Sequence, residues 1–183
     1  MIKTEMSLNN LETLKRTVLI VLCFGSMVFT GCAGHSSLSS SEIALHDQSR
    51  ENFAHPTRWA DAIETFTEQD SENPPVKNAV LFVGSSSIVG WDTKKWFPEI
   101  DTINRGFGGS HIIDSWYYAE RIIIPYAPRT IVFYAGDNDA ADGKPPEMIF
   151  ADFKAFALKI RSALPRTELI YIAIKPSIAR WNI

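Results

Sequence analysis

Three short runs in this chain carry residue types that could do chemistry together. They are Gly84-Ser85-Ser86-Ser87, Gly106-Phe107-Gly108-Gly109 and Gly136-Asp137-Asn138-Asp139, and each follows an apolar stretch. The first offers a hydroxyl. A serine becomes a useful nucleophile when a base takes its proton, and a strand-to-helix turn would expose it beside backbone N–H groups. The second offers bare backbone: with no Cβ, glycine lets an N–H approach a substrate oxygen closely, as an oxyanion hole requires. The third offers a carboxamide, a neutral donor whose loss from an oxyanion hole typically costs about 10² to 10³ in rate. Taken singly, each run has a plainer reading, as helix N-caps, a glycine turn and an Asx turn respectively. A phosphate loop is a weaker reading of the glycine run, because no Gly-Lys-Ser/Thr ending follows it. The set is more specific than its parts, since nucleophile, glycine donor and asparagine donor come in order after successive apolar runs.

The elements that must position these groups can be read from spacing. Asn78 to Val83, Asp101 to Asn104, Thr130 to Ala135 and Glu168 to Ile174 are short apolar runs and are predicted to be strands. Between them lie helical patterns. Trp59, Ile63 and Phe66 share one helix face, and Asn73-Pro74-Pro75 ends it. Ile112 to Ile124 is a helix stopped by Pro125, and Pro146 to Leu164 is a helix with Ile149, Phe153, Phe156 and Ile160 on one face. Alternating strands and helices predict an α/β domain, a parallel sheet covered on both faces. Ligands of such sheets bind beyond the carboxyl ends of the strands, and all three runs fall at that edge.

On these three runs the chain resembles the SGNH hydrolases, also called the GDSL esterases and lipases. The resemblance covers about residues 76 to 183. It implies a three-layer α/β/α sandwich with a flavodoxin-like parallel sheet in the order 2-1-3-4-5. It also implies that Ser86 is the nucleophile and that its N–H, the N–H of Gly109 and the side chain of Asn138 hold the oxyanion. No metal or other cofactor is implied, and the substrate would be a small-molecule acyl or acetyl ester cleaved through an acyl-enzyme. The residue before Ser86 is Ser85, where the family name has Asp, so Ser85 and Ser87 stand as rival nucleophiles.

The same resemblance implies an Asp-x-x-His segment after the last strand, and Ser177 to Ile183 does not contain one. The expectation is a C-terminally truncated domain without its fifth strand, whose fourth strand would be an open edge. The four histidines are His35, His46, His55 and His111, and only His111 lies near the motifs. It reads as a pocket-lining or exposed residue rather than the base. Without a triad, an oxyanion hole and binding leave about 10³- to 10⁴-fold over water, so weak hydrolysis or none is expected.

The N-terminus carries a different message. Lys15 and Arg16 precede the apolar run Thr17 to Thr30, which is short for a membrane span and ends in Phe29-Thr30-Gly31-Cys32. This resembles a bacterial lipobox, with Phe29 in a place where Leu is usual. It implies a lipoprotein signal over 1–31, lipidation at Cys32, a membrane reached through that anchor, and a place in the bacterial cell envelope. The serine-rich stretch that follows reads as part of a flexible tether over 32–55, ahead of the domain at 56–183.

Composition narrows the field further. The chain has 183 residues, 45% of them hydrophobic, and a net charge of −3, enough for one globular domain and with no basic patch to suggest nucleic acid. Its two cysteines, Cys23 and Cys32, cannot build a disulfide framework. Two further readings compete with the hydrolase: a non-catalytic envelope lipoprotein that keeps the fold as a binding module, and a flavodoxin-like nucleotide binder resting on Gly106 to Gly109 alone. Trp91, Trp96, Trp116 and Tyr117 lie near the motifs and could line a pocket, though such aromatics more often pack a core.

Overall fold

A computed structural model describes residues 37–55 and 57–175, which belong to one compact unit. The four apolar runs form strands β1 (Val80–Gly84), β2 (Thr102–Gly106), β3 (Thr130–Tyr134) and β4 (Glu168–Tyr171). They make one sheet in the order β2-β1-β3-β4, with every neighbouring pair parallel. The register sets Gly84 opposite both Gly106 and Tyr134, so β1, β2 and β3 stop together. Each of the three runs therefore leaves the sheet at the same edge.

Side-chain alternation along the strands builds two cores. Leu81, Val83, Ile131 and Phe133 face the larger one. There they meet Ile63 of α2 (Ala60–Glu72), Ile112 and Ile122 of α5 (Ile112–Ile122), and Phe156 and Ile160 of α7 (Pro146–Ala163). Phe82 and Tyr134 face the other way, against Ile88 of the short helix α3 (Ser86–Val89) and the rings of Trp91 and Phe97 beside α4 (Thr93–Trp96). The result is the expected three layers, with a thinner second helical layer among the described residues. The helices end where composition says they should. Asn73 caps α2 before Pro74, and Pro125 falls in a 3₁₀ turn, Ile124–Tyr126, that follows α5.

One expectation is overturned. The segment taken as a tether, 32–55, contains helix α1 (Ser40–Phe53), packed on the domain rather than leading to it. Its serines are part of the reason. Ser39 is the N-cap, with its hydroxyl accepting the Glu42 N–H while the Glu42 carboxylate accepts the Ser39 N–H, a capping box. Lys154 of α7 donates to Glu42 at 2.7 Å, and His46 and Ser49 are buried. A polar composition that can describe a linker also describes a capped helix with an ionic docking face. The boundary drawn at residue 56 thus cuts through packed structure. The signal at 1–31 and Cys32 lie outside the described residues. Among the described residues, no helix is long and apolar enough to cross a membrane.

Candidate active site

The first run turns sharply as it leaves β1. Gly84 has φ +138°, and a Cβ there would lie 1.9 Å from the Tyr134 carbonyl oxygen, so no other residue fits without backbone movement. The three serines then separate by burial. Ser85 is fully buried; its N–H donates to the Tyr134 carbonyl at 3.0 Å and its hydroxyl donates to Asp137 Oδ1 at 3.4 Å. Ser86, the first residue of α3, is exposed, and Ser87 is half-buried. Among the described residues the Ser86 hydroxyl has no hydrogen-bond partner.

The second run extends the ladder by one bond, from the Phe107 N–H to the Gly84 carbonyl at 2.9 Å, and then passes beside the serine. A Cβ placed on exposed Gly108 would sit 3.9 Å from Ser86 Cβ. Gly109 takes φ +79°, a left-handed conformation suited to glycine, and a Cβ there would meet Trp59 Cη2 at 3.4 Å and Arg58 Nη2 at 3.5 Å. The chain then enters α5, where the His111 N–H donates to Asp114 Oδ2 at 2.9 Å.

The third run opens α6 (Asp137–Ala141). Asn138 is half-buried, and its Nδ2 donates to the Ser110 carbonyl at 3.0 Å. Gly109 therefore lies between a residue that borders Ser86 and a residue that holds Asn138. That is the sense in which the three sites named from sequence, Ser86, Gly109 and Asn138, are brought together.

Behind Asn138 sits a buried ionic cluster. Lys144 Nζ lies 2.8 Å from Asp139 Oδ1 and 2.9 Å from Asp152 Oδ2, with all three side chains fully buried. Asp139 also accepts the Ile112 N–H at 3.2 Å, which ties it to the start of α5. Asp152 reaches α1, accepting the Ser49 hydroxyl at 2.5 Å and lying 2.9 Å from His46 Nδ1. Burial pushes the Asp139 carboxyl above the ordinary Asp value, and the positive charge on Lys144 opposes that push. Through Lys144, Asp139 and Asp152 thereby link the third run and the start of α5 to α1 and α7.

His111 does not join the serine. It is buried, with Nε2 2.8 Å from Asp142 Oδ2 and its ring 6.0 Å from that of Phe53. The aromatics near the motifs mostly pack elsewhere against other rings or lie exposed, Tyr117 among the exposed. Trp91 packs against Phe82 and Phe97, Trp96 is exposed, and Trp116 lies edge-on to His46. The aromatic at the site is Trp59, whose ring meets that of Phe107 at 5.7 Å. In the sequence it reads as one more apolar position on the α2 face, and nothing local to it announces contact with Gly109. Asp152 did leave a signal: it falls on the same stripe as Ile149, Phe153 and Phe156, a carboxylate on an apolar face.

No family model matches the chain, and no curated protein matches it. Solved structures do. The chain is similar to a Streptococcus pneumonia protein named for platelet activating factor, with TM-score 0.60 and 21% identity over 75% of this chain and 64% of that one. It is similar to a GDSL-like lipase from Bacteroides thetaiotaomicron, with TM-score 0.54 and 19% identity over 64% of this chain and 62% of that one. It is also similar to a Bacteroides fragilis protein named as an acylhydrolase, with TM-score 0.51 and 22% identity over 59% of this chain and 55% of that one. The chain spans less than two thirds of each of these proteins. What the likeness establishes is the fold, the three-layer α/β/α arrangement of the SGNH/GDSL hydrolases.

Proposed function

We propose that this chain carries the site of a serine-dependent ester hydrolase acting on small acyl or acetyl esters. The observation that carries the reading is the position of the second run, with Gly108 against Ser86 and Ser110 bonded to Asn138. Exposure of Ser86 and burial of Ser85 support the choice of nucleophile. The lipase and acylhydrolase names of the structural neighbours support the substrate class.

In this reaction Ser86 Oγ bonds to the ester carbonyl carbon and gives up its proton. The carbonyl oxygen takes the negative charge and is held by the N–H groups of Ser86 and Gly109 and by Asn138 Nδ2. The bond to the alcohol oxygen breaks and that oxygen leaves protonated, giving an acyl-serine. Water then adds to the acyl carbon, the acid departs, and Ser86 regains its proton. The reaction as written uses no metal or other cofactor.

Among the described residues none is bonded to the Ser86 hydroxyl as its base, so we infer weak turnover by the 183-residue chain. That same observation favours a second reading, a binding module of the cell envelope that keeps the oxyanion site for recognition. In either case the proposal includes export, lipidation at Cys32 and attachment to a bacterial membrane. Hydrolysis of 4-nitrophenyl acetate by the full chain and by Ser86→Ala separates the two readings. Turnover lost in the variant supports the hydrolase, and rates equal to each other and to buffer favour the binding module.

A further inference from the structure

We propose that Arg58 makes this site selective for esters that carry a second, negatively charged group, a carboxylate or phosphate held by the Arg58 guanidinium. The inference rests on the hydrolase reading for its reaction, but its evidence is separate. Arg58 is exposed, on the turn that leads into α2, and its N–H donates to the His55 carbonyl at 2.9 Å. Its guanidinium lies 4.5 Å over the Trp59 ring. Trp59 in turn packs edge-on to Phe107 and reaches Gly109, as does Arg58 Nη2 itself. The cation is thus stacked on an aromatic platform fixed to the oxyanion loop.

Stacking of this kind holds a guanidinium in place without neutralising it. Arg50, Arg105 and Arg121 are each paired with a carboxylate, of Asp47, Asp70 and Glu64 respectively. Arg58 has no such partner among the described residues, and its five N–H donors suit a carboxylate or phosphate in fork geometry. A Cβ placed on Gly108 would lie 3.9 Å from Ser86 Cβ and one on Gly109 would lie 3.5 Å from Arg58 Nη2, so with one Cα–Cα step between the two glycines the guanidinium nitrogen is no more than about 14 Å from Ser86 Cβ. An acyl chain of ordinary length spans that interval, with its ester at Ser86 and its anionic end at Arg58.

The test compares 4-nitrophenyl hemiesters of glutaric, adipic and suberic acids with the neutral 4-nitrophenyl esters of valeric, hexanoic and octanoic acids. The readout is the ratio of kcat/KM, hemiester over neutral ester, at each length. At the best length Arg58→Ala is expected to lower that ratio about tenfold, the size of one hydrogen bond to a charged group. Arg58→Lys is expected to keep part of the preference, and added salt to reduce it in the wild type. An unchanged ratio in Arg58→Ala at every length overturns the proposal. If the wild type turns over neither kind of ester, the hydrolase reading fails by itself. Calorimetric titration with the matching hemi-4-nitroanilides, which are amides, then decides Arg58. About tenfold weaker binding to Arg58→Ala supports the subsite, and equal binding, or none by the wild type, overturns it.

Discussion

On the rim of the site, Ser86 and Arg58 are exposed and their side chains hydrogen-bond nothing among the described residues. Behind them, Lys144 is fully buried between Asp139 and Asp152, and those carboxylates bond the Ile112 N–H at the start of α5 and the Ser49 hydroxyl of α1. Both regions are polar, yet they are polar for opposite reasons. A buried charge without a partner is unfavourable by several kcal/mol, so the interior cluster must be paired to exist at all. An exposed hydroxyl or guanidinium is solvated when unpaired and keeps its bonding capacity for a ligand. Groups left open at the surface and groups saturated beneath it together describe a working edge on a rigid backing.

Several substitutions test this contrast, in order of expected effect. Lys144→Met leaves two buried carboxylates without their cation and is expected to lower unfolding free energy by about 3 to 5 kcal/mol at neutral pH. Its pH dependence has a definite sign. Burial already raises Asp139 in the folded state, and loss of Lys144 raises it further. A carboxyl raised by folding favours the native state when protonated and loses that advantage as pH rises from its unfolded value. The stability deficit of Lys144→Met should therefore shrink on acidification, and urea titrations at pH 4 and 7 (buffer choices, at about these values) measure it. A deficit independent of pH would break the link between Lys144 and Asp139.

Asn138→Ala is expected to lower kcat toward 4-nitrophenyl acetate by about 10² to 10³. Its cost in stability should be smaller, about 1 kcal/mol for the bond to the Ser110 carbonyl. Equal loss of catalysis and fold would assign Asn138 to the backing rather than the edge. Ser85→Ala sharpens the choice between neighbours. It removes a buried hydroxyl bonded to Asp137, so a melt should report about 1 kcal/mol, while hydrolysis persists at Ser86. The smallest effect belongs to Glu42→Gln at the start of α1. Lys154 and the Ser39 N–H hold the Glu42 carboxyl down, at about 2. A carboxyl lowered by folding stabilises above its unfolded value and loses that contribution as pH falls toward 2, so wild type and variant should converge in acid.

The sheet was legible in the sequence because its strands are short apolar runs and its helices show clear periodicity. Strands β1 to β3 lie within two residues of their expected bounds, and β4 ends at Tyr171, before Ile174. The three runs at the strand ends were legible as well, since Gly84 and Gly109 need backbone freedom that only their residue type provides. What escaped is tertiary. Helix α1 was hidden because its stability comes from Asp152 and Lys154, more than a hundred residues away, not from a strong apolar stripe of its own. Trp59 and Arg58 escaped because their approach to the Gly109 turn joins segments that no local pattern relates.

The proposed hydrolase requires Ser86 to face a preformed oxyanion site. The most direct measurement is treatment of the full chain with a serine-reactive fluorophosphonate, followed by intact mass and peptide mapping. One adduct is expected, on Ser86, formed more slowly in Asn138→Ala. No adduct after prolonged exposure, or an adduct on Ser85 or Ser87 instead, would contradict it.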